Sequence, residues 1–88
     1  MIKNTSPQFE ISERVDARGT RCPIPLLRAK TALKKMNIGE YLEVQATDPS
    51  AKGDFDAMLK HLPHDLVDYQ RGDATPRVDV FVILKGSA

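Results

Sequence analysis

Eighty-eight residues, 41% of them hydrophobic and 28% charged, suffice for one small domain with one modest core. No apolar run approaches the roughly 20 residues a membrane helix needs, and "MIKNTSPQFE" lacks the apolar stretch of a secretory leader, so no membrane partner is expected and a cytoplasmic location is. A lone cysteine excludes an internal disulfide and any CxxC metal or dithiol site. The net charge of +1 conceals a segregation: residues 14–36 hold seven basic residues against one acid, a balance of +6, while residues 37–88 hold five against nine, a balance of −4.

Residues 1–10, with Asn4, Thr5, Ser6 and Pro7 and no periodicity, read as a flexible N-terminal arm, and residues 11–88 as a single domain. "ISERVDAR" alternates Ile11, Glu13 and Val15, a strand signal running to about Asp16, and Gly19 breaks it. From Pro23 the pattern turns helical. Leu26, Ala29, Leu33 and Met36 recur at spacings of three and four, with Leu27 and Ala32 widening the stripe, and Asn37 and Gly39 close the helix. "YLEVQA" then sets Leu42, Val44 and Ala46 on one face and Tyr41, Glu43 and Gln45 on the other, a strand with one buried side. In "TDPS", Asp48 can cap the first amides of a second helix, and Pro49 suits the first helical position. That helix is expected over residues 50–62, with Phe55, Met58, Leu59 and Leu62 inward; Gly53 weakens it and Pro63 ends it. "DLVDYQ" and "RVDVFVILK" are two more strands, the last apolar enough to belong in a sheet interior. The order β-α-β-α-β-β predicts an α/β (α+β) two-layer sandwich. Its four-stranded mixed sheet carries both helices on one face and ends in an antiparallel hairpin.

The chemistry concentrates at "RCPIPLL". Proline is tolerated in the first helical turn, so Pro23 and Pro25 fix a helix start with Cys22 at or next to its cap. Arg18 and Arg21 flank the thiol, and arginines beside a helix start are surroundings that lower a thiol pKa. A small buried hydrophobe is the plain alternative for a free cysteine, but a helix cap favours Ser, Thr, Asp or Asn. Only His61 and His64 could serve as a base, and they fall at the end of the second helix and in the turn after it. No glycine-rich phosphate loop, metal-ligand cluster or resolving cysteine accompanies the thiol, so neither cofactor nor metal is expected. An activated thiol with no other machinery can accept a sulfur atom as a persulfide and hand it on. A second reading is a non-enzymatic, thiol-gated regulatory or protein-binding module that uses the basic first helix. Direct RNA binding through the basic segment is a third. Five aromatics, mostly at core positions, leave few stacking platforms, so no nucleic-acid partner is expected. No surplus apolar helix face is evident, and a monomer is expected.

"VDARGTRCPIPLLRAKTAL", "GEYLEVQATDPSAKGDF" and "HDLVD", over about residues 13–86, resemble the TusA/SirA-like sulfur-carrier family. CPxP after a D-x-R-G strand end, with G-E and D-P downstream, carries the resemblance. It implies the same β-α-β-α-β-β sandwich and a sulfurtransferase whose cysteine, here Cys22, bears persulfide sulfur in the cytoplasm. It also implies a cysteine desulfurase or rhodanese-type donor and a downstream sulfur-acceptor protein, in tRNA thiolation, sulfur oxidation or cofactor sulfuration. Lys30 matches the family's basic position on the first helix and Asp48 its D-P acid, both candidates for partner docking, as are Leu27 and Arg28. Ile24 stands where tRNA-thiolation members often carry an acid inside CPxP, and Gly53 where a basic residue is usual.

Overall fold

The computed structural model describes residues 10–21 and 23–87. Its elements are β1 (Ile11–Ala17), α1 (Ile24–Lys35), β2 (Tyr41–Ala46), α2 (Ala51–Leu59), β3 (Asp65–Gln70) and β4 (Asp79–Leu84), in the order the periodicities predict. Of the expected N-terminal arm, residues 1–9 lie outside the described residues, and so does Cys22.

The sheet order is β1-β2-β4-β3. β1 and β2 run parallel, joined by α1, while β4 is antiparallel to both β2 and β3. The strongly apolar last strand is thus interior, as its composition demands. Leu42 lies opposite Ile83 and Val44 opposite Phe81, and these residues share one core with Ala29 and Leu33 of α1 and Ala51 and Phe55 of α2. Both helices therefore cover the same sheet face. Phe81 sits at its centre, with ring centroids 4.8 Å from Phe55 and 5.1 Å from Tyr69.

Several expectations shift. Pro23 is the cap of α1 rather than its first residue. Leu27 was expected to widen the core stripe but is 55% exposed. α1 lies over β1, which is the edge strand among the described residues, so no further strand there covers that flank. α2 ends at Leu59, because His61 and Leu62 donate their amides to Met58 and Leu59, three residues back, tightening the last turn instead of extending the helix. At its start Ser50, not Asp48, is the cap. The Asp48 carboxylate accepts from the Ser50 amide at 3.0 Å and hydroxyl at 2.9 Å, so it closes the turn leading into the helix. β4 spans six residues, shorter than the apolar pattern suggested. Glu43, placed by alternation on the solvent side, is 1% exposed. It sits in register between Arg14 of β1 and Val82 of β4, and accepts from Arg14 Nε at 3.3 Å and Gln45 Nε2 at 3.0 Å. On a central strand, long neighbouring side chains close over such a residue without a second layer.

Candidate functional site

Parallel strands β1 and β2 end side by side, at Ala17 and Ala46, and the loops leaving them form the site. Crevices outside the carboxyl ends of parallel strands are where open α/β sheets usually place ligands. Gly19, at φ +80°, turns the chain in a conformation that glycine adopts without strain. Its amide donates to Thr47 Oγ1 at 2.9 Å, tying the first loop to the second. Thr20 closes the turn, its amide and hydroxyl both donating to the Ala17 carbonyl, at 3.3 and 2.7 Å. A crevice of about 420 Å³ lies here, lined by Gly19, Thr20, Arg21, Thr47, Asp48 and Pro49.

Either side of position 22 the chain is anchored. The Arg21 carbonyl accepts the Ile24 amide at 2.8 Å, and the Pro23 carbonyl accepts the Leu27 amide at 3.0 Å. With Pro25 in the first turn and buried, few amides remain free at this helix start. No acidic residue occupies the first turn and no side chain caps it, so the positive end of α1 is uncompensated from within the helix.

The two flanking arginines differ. Arg18 grips Asp16 with Nε and Nη2, both at 2.8 Å, and adds its amide at 3.1 Å. This holds the Asp16 carboxyl down to about 2 and consumes most of the field Arg18 would project. Arg21 is exposed and forms no ion pair among the described residues. Of the arginines next to the thiol in the sequence, Arg21 is the one with unspent charge.

The other candidates separate onto distinct surfaces. Asp48 joins Arg21 in the crevice. Leu27 and Arg28 line a larger open groove, about 570 Å³, between α1 and the edge of β1, where Arg28 Nη1 donates to the Asp16 carbonyl at 3.0 Å. Lys30 faces away from that groove, toward a third cavity that also contains His64. That cavity lies at the far end of α1, whose 12 residues span about 18 Å. His64 is thus set apart from the helix start, and His61 lies in the turn after α2. Among the described residues no cluster of His, Asp or Glu could hold a metal ion, and no helix is long and apolar enough to cross a membrane.

Thr20 and Thr47 went unnoticed in the sequence. A hydroxyl beside a glycine turn and another before Asp-Pro are common loop residues, and the partner of Thr47, the Gly19 amide, lies 28 residues away.

A family model described as "Sulfurtransferase TusA" matches residues 13–84. The chain is 47% identical over 62 residues to a protein of Neisseria meningitidis serogroup A named as a candidate sulfur carrier, covering 70% of this chain and 84% of that one. It is 42% identical over 59 residues to the sulfur carrier protein TusA of Allochromatium vinosum, covering 67% and 78% of the two chains. The crystal structure of a SirA-like protein from Desulfitobacterium hafniense superposes with a TM-score of 0.65 at 24% identity, covering 85% of this chain and 99% of the other, which shows a shared fold.

Proposed function

The chain belongs to the TusA sulfurtransferase family, a family of sulfur carriers, and on that premise we propose that it carries sulfur as a persulfide on Cys22. The Cys22 thiolate attacks the outer sulfur of a donor persulfide. The S–S bond of the donor breaks, its electron pair leaves on the donor's inner sulfur as a thiolate, and the outer sulfur stays on Cys22. An acceptor thiolate then attacks that outer sulfur and releases Cys22 as a thiolate. Each exchange conserves electrons, so no redox cofactor is required.

One observation carries this reading. The residues flanking position 22 combine an arginine with no ion pair among the described residues and a helix start without acids, while His64 lies in the cavity at the far end of α1. Such surroundings favour a thiolate and offer no base for hydrolysis. Pro23 and Pro25 fix the helix start, Arg21 supplies positive potential, and Arg18, locked to Asp16, shapes the loop. Donor and acceptor dock around the crevice and the α1–β1 groove through Asp48, Leu27 and Arg28, while Lys30 lies on the opposite flank of α1. A cysteine desulfurase or a rhodanese-type protein suits the donor's part and a thiol-bearing protein the acceptor's, with the exchange running in a reducing cytoplasm.

Exposure to a persulfide-bearing desulfurase or rhodanese should add about 32 Da, one sulfur atom, to the intact protein by mass spectrometry, and Cys22→Ser should abolish it. The alkylation rate of Cys22 should follow a pKa below the ordinary value of about 8.5. A protein that no donor loads, with a thiol titrating above 8.5, would instead be a binding module.

A further inference from the structure

Toward the C-terminal half of α1 lies a cavity of about 260 Å³ whose walls are apolar at Leu33, Leu62 and Pro63. Its polar lining is Lys30, Lys34, Lys85 and His64, with no acidic residue. Lys85 is 5% exposed. Main-chain bonds fix its position, since its amide donates to the Glu40 carbonyl and its carbonyl accepts the Gly39 amide, both at 2.9 Å. Its Nζ donates to the Leu33 carbonyl in the last turn of α1, which satisfies one of three N–H donors. No carboxylate pairs with Lys85, Lys30 or Lys34 among the described residues. The carboxylate of Glu40, just before β2, is engaged with Asn37.

His64 adds a fourth group. Its Nδ1 accepts the Gly86 amide at 3.1 Å, so the neutral ring carries its proton on Nε2. Burial, and then the charge of Lys85, hold its pKa below the usual value, opposed by exposed Asp65 next to it in the chain.

A buried cation is normally paired. From the cavity, the unpaired Lys85 and the two further lysines around it, we infer a binding site for a carboxylate borne on a short apolar stem. The head group would meet the ammonium groups and the stem would lie on Leu33, Leu62 and Pro63. The inference is independent of the sulfur chemistry at Cys22, and its test reads binding alone. A free organic acid and the carboxyl terminus of a protein chain present the same chemistry.

Titrating the full chain with hexanoate, followed by 1H–15N correlation NMR at constant ionic strength, should give saturable shifts at Leu33, Leu62, His64 and Lys85. Hexylammonium, with the same stem and opposite charge, should give none. Bound carboxylate should raise the His64 pKa, by reciprocity of linked equilibria. Lys85 also holds the helix end, so the informative variant is the exposed pair Lys30→Gln with Lys34→Gln, which should weaken hexanoate binding by about fivefold or more. A short peptide ending in leucine, as free acid and as amide, distinguishes the sources. Tighter binding of the peptide acid than of hexanoate points to a protein terminus, the reverse to a free metabolite, and either supports the site. The inference is overturned if hexanoate gives no saturable shift, if hexylammonium or inorganic phosphate binds as well, or if the double variant binds unchanged.

Discussion

Asp79, 2% exposed at the start of β4, accepts from Tyr69 Oη at 3.0 Å, the Gly72 amide at 3.0 Å, and Arg77 Nε and Nη2 at 2.9 and 2.8 Å. The Arg77 guanidinium chiefly holds its carboxyl down to about 2, against an ordinary value of 3.8. Because the folded value is the lower, the unfolded chain binds more protons between the two. Stability from this group is therefore complete above about pH 4–5 and lost as pH falls toward 2, an effect on the order of 1–2 kcal/mol. Asp79→Asn should flatten that acid limb and lower the urea midpoint at pH 7. Glu43 poses the opposite case. Arg14→Ala would leave its buried carboxylate without a cation and should cost about 1–3 kcal/mol, whereas Glu43→Met should be nearly neutral, since removing a buried charge also removes its desolvation cost. Urea unfolding of the two variants side by side checks the contrast, and equal losses would contradict it.

At the scale of elements, α2 is the weakest piece. It has nine residues, no side-chain cap and a glycine at position 53. A Cβ built at Gly53 meets nothing within 4 Å, and its backbone is helical, so Gly53→Ala should stabilise the protein by about 0.5–1 kcal/mol in thermal or urea unfolding. Gly72 is the internal contrast. A Cβ there would lie 2.2 Å from the Val78 carbonyl oxygen, so Gly72→Ala should destabilise. Helix existence and inner faces were legible in the sequence for a physical reason. Ala29 and Leu33, or Phe55 and Leu59, lie one turn apart, and that spacing holds wherever the helix docks. The exposure of Leu27 was not legible, because it depends on β1 being an edge.

Across the whole molecule, one aromatic stack joins α2, β3 and β4: Phe55, Phe81 and Tyr69. Phe55→Ala should cost about 3–5 kcal/mol, a large share of the 5–15 kcal/mol typical of a small domain, and a shift of the urea midpoint too small for that would show the stack to be peripheral. The chain itself determined the order of elements, the interior place of β4, and the two prolines that follow Cys22 where α1 begins. These follow from periodicity and local backbone chemistry, which act over a few residues. Tertiary structure alone decided that Thr47 holds Gly19, that Glu43 is buried beside Arg14, and that Lys85 meets a carbonyl 52 residues away. Such pairings arise only when the strand order brings distant segments together, and no local pattern encodes them.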